Sequence, residues 1–258
     1  MVTEQILLSE ADGILSATLN RPDKLNAINP DMTGGLWEAV RTVRDRDDLR
    51  ALVITGTGSY FTAGIDLHAP SPATVAQSGS EFRKLYRQHH LLYDEIEALA
   101  KPVVLAAQGP CLGSGLEMAC SCDFRLASEQ TTFRLPEVAL GTIAGSGGVS
   151  RLTKLVGPHW AKWIAMANRT VDASRALGIG LVHDVLPVID FHERVHELVR
   201  EIVALPPEAL AASKLAIDLS VDVDRATARG IERLANTNLV FGSEFREANR
   251  AFRERDSR

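Results

Sequence analysis

Two glutamates that lie beside glycine-rich turns are the residues of this chain best suited to do chemistry. Glu117 follows Gly113-Ser114-Gly115, and Glu137 precedes Gly145-Ser146-Gly147-Gly148. The residues around both are mostly apolar or small, and carboxylates rarely enter such surroundings without a partner. Burial raises the pKa of a carboxyl group toward neutrality, so two carboxylates in one dry cleft can divide acid and base work. Taken singly, each is better explained as a glutamate at a helix N-terminus, where the macrodipole favours negative charge.

Two glycine loops that follow buried strands are candidates for binding an oxygen anion. Residues 61–67 follow a strand that ends at Gly56, and Gly113-Ser114-Gly115 follow a strand that ends near Ala107. Glycine lets the backbone turn so that an N–H group points into a cleft. Two such N–H groups that converge on one oxygen make an oxyanion hole, worth about 3–4 kcal/mol per donor. Either loop alone is adequately explained as an ordinary strand-to-helix turn.

The composition is that of an ordinary soluble globular protein, with one large domain or a domain and a small appendage. The chain has 258 residues, of which 45% are hydrophobic and 24% charged. A net charge of −5 gives no electrostatic signature of a nucleic-acid partner. Three cysteines cannot all pair, which favours a reducing cytoplasm. No basic, apolar leader and no run of about 20 apolar residues is found, so no membrane partner is expected.

Hydrophobic patterning predicts an α/β protein. An Asp12-Gly13 turn joins two strands as a hairpin, Asn29-Pro30 opens a helix, and Pro206-Pro207 separates two helices of a mainly helical C-terminal part. The loop from residue 68 to residue 80 is the expected flexible segment and borders a pocket. Further strands are predicted near 51–55, 102–107 and 123–127, and helices near 30–46 and 81–99.

One short motif suggests a different chemistry. His192-Glu193-Arg194-Val195-His196 has the spacing of a zinc peptidase helix. Against that interpretation, Asp190 and Glu193 fit a capping box, so that Glu193 has a structural task at the start of a helix. No third ligand follows the motif. A zinc metallopeptidase therefore remains a remote alternative.

Taken together, these segments resemble the crotonase superfamily, the enoyl-CoA hydratase/isomerase family, in order along nearly the whole chain. The resemblance implies an α/β fold with a crotonase-like ββα spiral core in residues 1–199 that carries an acyl-CoA site. It also implies a helical C-terminal module in residues 200–258 that covers the active site and forms trimers. The matching segments are residues 20–27 (a CoA-contacting segment), 54–67 and 101–117 (the two oxyanion loops) and 133–148 (the segment of the second acid).

The resemblance assigns roles to individual residues. The backbone N–H groups of Ile65 and Ser114 are implied to hold the thioester oxygen of an acyl-CoA. Glu117 would orient and activate water, and Glu137 would exchange a proton with water and C2. The implied substrate and CoA contacts are Lys24, Leu25, Ala27, Ala63, Gly64, Asp66, Leu67, Gly113 and Gly145.

The implied reaction adds water across the C2–C3 double bond of a 2-enoyl-CoA. It requires no metal and no redox cofactor, because coenzyme A is part of the substrate. The implied assembly is a homotrimer or a dimer of trimers. Alternatives left open are Δ3,Δ2-isomerisation and other family reactions such as acyl-CoA hydrolysis or decarboxylation. An RNA-binding role is disfavoured by the acidic balance.

The chain departs from the family pattern at two places. Ala144 stands where many members carry proline, which puts the turn near Glu137 and Gly145 in doubt. The segment 241–248 lacks one residue before Phe245 and has Ala248 where glycine is usual, which bears on the terminal helices. The candidate cations for the CoA phosphates are Arg21, Lys24 and Lys214.

Overall fold

The computed structural model describes residues 4–70 and 75–256, which form two β-sheets surrounded by helices. The larger sheet has six strands in the order β1-β2-β3-β4-β6-β9, and the smaller has three in the order β5-β7-β8. The first two strands pair antiparallel, and the other pairs of the large sheet are parallel. The predicted α/β class is confirmed. The strands are β1 Ile6–Ala11, β2 Ile14–Leu19, β3 Ala51–Gly56, β4 Val103–Ala107, β5 Cys111–Leu112, β6 Phe124–Ser128, β7 Thr132–Arg134, β8 Val171–Asp172 and β9 Asp184–Leu186.

Helices connect these strands and continue to the end of the described chain. A 3-10 turn covers Glu137–Leu140, and a π-helical turn covers Lys162–Met166. The helices are α1 Pro30–Asp45, α2 Gly79–Ala98, α3 Ser114–Ser121, α4 Gly148–Ala161, α5 Ala173–Gly178, α6 Phe191–Val203, α7 Pro207–Ser220, α8 Arg225–Val240 and α9 Ser243–Asp256.

The local turn and cap predictions are confirmed. Asp12 and Gly13 both have positive φ angles, of 53° and 74°, as a tight hairpin turn requires. The Asn29 side chain accepts a hydrogen bond from the Met32 N–H at 3.0 Å, and Pro30 is the first residue of α1. α7 begins at Pro207, so the double proline separates α6 from α7 as expected.

The large sheet divides two apolar cores. Side chains that alternate along β3 point to opposite faces, so that Leu52 and Ile54 join the larger core while Ala51 and Val53 join the smaller one. The larger core also contains Leu116 of α3. Complete burial of such side chains stabilises the fold by about 1.5–3 kcal/mol each. The candidate glutamate of α3 is therefore carried by a helix anchored in the larger core.

The helix with the His-Glu-x-x-His motif lies on the other face of the large sheet, where α6 packs into the smaller core. Asp190 occupies the N-cap position of this helix, but its side chain makes no cap hydrogen bond, so the capping-box prediction is wrong. Its Oδ2 accepts a hydrogen bond from Arg194 Nε at 2.6 Å instead. His196 Nε2 lies 3.9 Å from Asp12 Oδ2. Within residues 4–70 and 75–256, no group of three or more His, Cys, Asp and Glu side chains is arranged to hold a metal ion.

The C-terminal helices are tied to the core through an ion pair. Lys214 Nζ on α7 lies 2.8 Å from Asp123 Oδ2, and the two side chains are 13% and 19% exposed. Asp123 also accepts a hydrogen bond from the Val103 N–H at 2.7 Å. Lys214 is thus engaged by Asp123, although the sequence makes it a candidate for binding phosphate. α9 continues unbroken through Ala248.

The predicted domain boundary between residues 199 and 200 falls inside α6. The proposed part played by residues 200–258 in site cover and trimer formation stays a prediction. The predicted flexible loop at 68–80 lies partly outside the described residues, at 71–74, and α2 begins at Gly79. Among the described helices, none is both long and apolar enough to cross a membrane.

Candidate active site

Glu117 lies in the first turn of α3 and is almost completely buried, with 4% of its surface exposed. Its Oε1 accepts a hydrogen bond from the Ser146 N–H at 2.7 Å. Burial raises the pKa of Glu117 to about 7, and the charge of Glu137 adds to the rise. The Ser146 and Gly148 amides and the Arg151 cation act in the opposite direction. A carboxyl group in this position exchanges protons near neutral pH.

Glu137 approaches the same turn from a different part of the chain. The Gly113 N–H donates to the Arg134 carbonyl at 2.9 Å, which holds the segment before Glu137 against this turn. The Glu137 carboxyl group is partly buried, and its Oε2 is buried without a hydrogen-bond partner among the described residues. Burial raises the pKa of Glu137 as well. Glu137 Oε1 packs against Gly113, the Glu117 N–H donates to the Gly113 carbonyl at 3.0 Å, and the charge of Glu137 acts on Glu117, so the structure brings the two predicted glutamates into one site.

The two glycine loops lie side by side. The Leu112 N–H donates to the Thr62 carbonyl at 3.0 Å, which joins the second loop to the first. Gly64 has a φ of +95°, and a Cβ at this position would lie 3.0 Å from the Leu112 carbonyl oxygen and 3.5 Å from the Ser114 amide nitrogen. Only glycine combines this backbone conformation with so close an approach.

In each loop the backbone directs one N–H group away from the backbone hydrogen bonds that join the loops, strands and helix. The Gly64 carbonyl accepts from the Ile28 N–H at 2.8 Å, so the Ile65 N–H, on the same trans peptide, points the opposite way. The Gly113 carbonyl accepts from the Glu117 N–H at 3.0 Å, so the Ser114 N–H points out of the N-terminus of α3. These are the two donors that the sequence predicts.

Asn26, which is not among the residues predicted from the sequence, organises the first predicted CoA-contacting segment. It is fully buried with a φ of +52°. Its side-chain amide donates to the carbonyls of Thr57 and Tyr60, both at 2.8 Å, and its Oδ1 accepts from the Arg21 N–H at 2.8 Å. Asparagine tolerates the left-handed conformation better than most residues. Its place between the predicted contacts Leu25 and Ala27 is the feature of the sequence that could have indicated its role.

An ion pair joins that segment to the first oxyanion loop. Arg21 Nη1 donates to Asp66 Oδ2 at 3.0 Å and to the Ala27 carbonyl at 2.6 Å. The pKa of Asp66 is lowered, first by the hydrogen bond from the His68 N–H and then by Arg21. The Ala63 N–H donates to the Leu25 carbonyl at 2.9 Å. Arg21 and Asp66 therefore hold the loops together, which leaves Lys24 as the exposed cation of this segment.

The remaining predicted contacts divide by exposure. Leu25, Ile65 and Leu67 present apolar surface to solvent, at 42%, 38% and 66% exposure. Gly113 is buried and Gly145 is partly buried beside the carboxylates.

Tyr93 on α2 holds the second loop in place, a contact that no local sequence pattern indicates. Its hydroxyl donates to the Ser114 carbonyl at 3.0 Å and shares a hydrogen bond with Ser114 Oγ at 2.5 Å. The side chain is fully buried, and burial raises its pKa far above the ordinary value. It therefore remains a neutral donor. The two residues are 21 positions apart in the chain, so no local pattern joins them.

Known proteins resemble this chain over nearly its whole length. A family model described as enoyl-CoA hydratase/isomerase matches residues 9–258. A short-chain-enoyl-CoA hydratase of Clostridium acetobutylicum is 32% identical over 256 residues, which cover 99% of this chain and 97% of that protein. A crotonyl-CoA hydratase of Syntrophomonas wolfei is 35% identical over 229 residues, 88% of this chain and 86% of that one. An enoyl-CoA hydratase structure from Bacillus anthracis has a TM-score of 0.90 at 29% identity and covers 97% of this chain and 96% of its own.

The burial of Glu117 predicts that its removal stabilises the protein at high pH. Because folding raises its pKa, its contribution to stability is fully present below the unfolded pKa of about 4.3 and is lost as the pH rises through about 7. We expect Glu117→Gln to raise the free energy of unfolding by about 2–3 kcal/mol at pH 8 and to have little effect at pH 4.5.

Urea denaturation of both proteins at the two pH values, at one protein concentration, measures this difference. Glu129→Gln, which changes an exposed carboxylate on the turn after β6, is the matched control and should show no such dependence on pH. Equal stabilities of wild type and Glu117→Gln at pH 8 would contradict the burial argument.

Proposed function

The chain belongs to the enoyl-CoA hydratase/isomerase family, and we propose that it adds water across the C2–C3 double bond of a 2-enoyl-CoA thioester. The family and the crotonase-like fold that the sequence predicts are both confirmed, by the match to residues 9–258 and by the TM-score of 0.90. The observation that carries the activity is a pair of carboxyl groups, the buried Glu117 and the partly buried Glu137, in which the charge of Glu137 acts on Glu117 and both pKa values are raised. Hydration needs both a base for water and an acid for C2.

The thioester oxygen is bound by the backbone N–H groups of Ile65 and Ser114. Support comes from the contact between the two loops at Gly64 and from the direction of both N–H groups, which leave the regular hydrogen bonds. During reaction the thioester oxygen gains negative charge as an enolate. Donors that are already fixed stabilise this charge without reorganisation, by about 3–4 kcal/mol each in measured cases.

The two carboxyl groups then divide the proton transfers. The Glu117 carboxylate takes a proton from water while the water oxygen bonds to C3, and the C2–C3 π electrons move toward the thioester oxygen. The enolate collapses as C2 takes a proton from Glu137. One proton therefore returns from Glu117 to Glu137 through water before the next cycle. Each proton in these steps moves between water, C2 and the two glutamates, so the steps use no metal or redox group. Coenzyme A enters as part of the substrate.

The coenzyme is held along the segment from residue 24 to residue 27 and the two oxyanion loops. We assign these contacts to Lys24, Leu25, Ala27, Ala63, Gly64, Asp66, Leu67, Gly113 and Gly145. Asp66 acts through its ion pair with Arg21, which fixes the two segments relative to each other. Three buried cysteines with free thiols support a cytoplasmic location for the enzyme.

The C-terminal helices support the proposal of a homotrimer or a dimer of trimers. α7 and α8 bury no described residue within one chain. Several large apolar side chains on α7, α8 and α9 are exposed, and such surface marks protein interfaces. We expect light scattering to give three or six times the mass of one chain, and the mass of one chain would contradict the proposal. These side chains are Leu215, Ile217 and Leu219 on α7, Leu234 on α8, and Phe245 and Phe252 on α9; Phe241, in the turn between α8 and α9, is exposed as well.

Replacing either carboxyl group by an amide tests the proposed reaction. We expect Glu117→Gln and Glu137→Gln each to lower kcat on a 2-enoyl-CoA by about 10²–10⁴-fold, because each removes one proton transfer. KM should change little, because the amide preserves the shape of the side chain. Turnover on a panel of 2-enoyl-CoA thioesters measures this and identifies the preferred acyl group.

Glu129→Gln again provides the control with an unchanged active site. Full activity of Glu117→Gln on a 2-enoyl-CoA would refute the hydratase assignment. Full activity of that variant in moving a double bond from C3 to C2 would instead favour an isomerase, in which one glutamate carries the proton between carbons.

The shared proton also predicts a bell-shaped pH dependence. The reaction needs one ionised and one protonated carboxyl group in the pair, and burial raises the pKa of both. At low pH both groups are protonated and no base remains, while at high pH both are ionised and no acid remains. We expect kcat/KM to fall on the basic side from about pH 7 and on the acid side at a pH above the ordinary glutamate value of about 4.3. The apparent pKa values on the acid and basic sides of this profile describe the interacting pair of carboxyl groups, not one residue alone. A kcat/KM profile that is flat from pH 5 to 9 would contradict the shared proton.

A further inference from the structure

Ser146 is hydrogen-bonded through three separate atoms. Its N–H donates to Glu117 Oε1 at 2.7 Å, its carbonyl accepts from Arg151 Nη1 at 3.2 Å, and its Oγ lies 3.3 Å from Tyr86 Oη. The residue is 2% exposed. It lies in the glycine-rich turn before α4, which forms no helix or strand of its own. The bonds to Arg151 and Tyr86 therefore determine where the Ser146 N–H, the donor to Glu117, is placed.

The first of the two supporting bonds comes from an aromatic row on α2. The Tyr86 ring stacks on Phe82, with 5.0 Å between ring centroids, and meets the His90 ring edge-on at 4.1 Å. Neighbours on both sides along the helix hold the ring, which fixes the hydroxyl. The Gly145 backbone also lies close to that hydroxyl, since a Cβ on Gly145 would be 2.7 Å from Tyr86 Oη. Tyr86 thus contacts two consecutive residues of the turn.

The second supporting bond is anchored on the same helix through Arg151. Its guanidinium lies 2.7 Å from Asp94 and 2.6 Å from Glu97, both on α2. The arginine side chain is only 12% exposed, so water screens the pairs less than at an open surface. One helix therefore holds the hydroxyl and the carbonyl of Ser146 from two directions.

We propose that Ser146 is a positioning residue for Glu117, and that α2 sets its place through Tyr86 and Arg151. This inference rests on the proposed function, because it gives Glu117 the part of the base. The backbone N–H of Ser146 orients the carboxylate toward the reacting water and stabilises its charged form. Loss of the bond between Ser146 Oγ and Tyr86 Oη lets the turn move, so that the Ser146 N–H donates less well to Glu117. The carboxylate is then less well oriented, and its charged form is less stabilised.

The charged and titratable groups that face Glu117 come from four elements. Glu137 approaches from its 3-10 turn and raises the pKa of Glu117, while the Arg151 cation on α4 lowers it. Tyr86 and Tyr93 face it from α2, and Cys120 lies on its own helix. Burial raises the pKa of each of these three groups, so they are neutral near pH 7. Among these groups, the charge effects on the pKa of Glu117 therefore come from Glu137 and Arg151.

The test compares Ser146→Ala, Tyr86→Phe and the double variant, all of which keep the Ser146 backbone N–H. Each single change should lower kcat about three- to tenfold and leave KM within about twofold, because one hydrogen bond is lost without loss of substrate contact. The double variant should be no slower than the slower single variant, because both changes remove the same bond. Ser150→Ala, which removes an exposed hydroxyl in the first turn of α4, is the control.

Infrared titration of the Glu117 carboxyl band, assigned with Glu117→Gln, gives a readout that does not depend on turnover. Its midpoint should rise by about half a pH unit or more in both single variants, because a donor to the charged form is weakened. Unchanged kcat and midpoint in both variants, or losses that add in the double variant, would overturn the positioning role. If the midpoint shifts while wild type hydrates no thioester, the proposed function fails and the positioning role stands.

Discussion

The hydrogen bond from the Ser146 N–H to the buried Glu117 carboxylate is the interaction on which the rest of the site depends. Burial raises the pKa of Glu117, and this bond of 2.7 Å lowers it again by stabilising the charged carboxylate. The balance between burial and this bond leaves the carboxyl group able to gain and lose a proton near neutral pH. Water addition requires that ability.

The helix that carries Glu117 has a task at each end: its N-terminus supplies a donor, and its C-terminus is held by a buried arginine. α3 is eight residues long, too short to persist alone in water. Its N-terminus presents the Ser114 N–H to the proposed oxygen site. At its C-terminus the buried Arg125 donates to the Cys122 carbonyl at 2.5 Å and to the Leu181 carbonyl at 2.8 Å. A cation at that end complements the helix dipole, so both the fold and the site are fixed by the ends of one short helix.

Local features of the sequence predicted local structure, and the order of the glycine segments predicted the family. The Asp12-Gly13 turn, the Asn29 cap and the fully buried β3 each depend on residues a few positions apart. The contacts that complete the site join residues far apart in the chain. Ser146 lies 29 positions from Glu117 and 60 from Tyr86, and Tyr93 reaches Ser114 across 21. No periodicity within one element indicates such pairs.

One local prediction was wrong, and at one departure from the family pattern the turn toward α4 is still formed. Asp190 has the right spacing to cap α6, but its backbone, at φ −127° and ψ 21°, is not in the extended conformation typical of a capping residue, and its carboxylate pairs with Arg194 one turn later. Ala144, which replaces a proline common in the family, is buried, and its carbonyl accepts a hydrogen bond from the Val149 N–H at 3.2 Å. The turn toward α4 therefore closes with alanine.

The most direct test of the account is to follow where the atoms of water go. Incubation of the protein with a 2-enoyl-CoA in ¹⁸O-labelled D₂O, followed by mass spectrometry of the product, should show one ¹⁸O at C3 and one deuterium at C2. This result is expected because water adds at C3 and the proton that exchanges with solvent through Glu137 is delivered to C2. A product that has shifted its double bond and carries no ¹⁸O would contradict hydration and the division of work between the two glutamates.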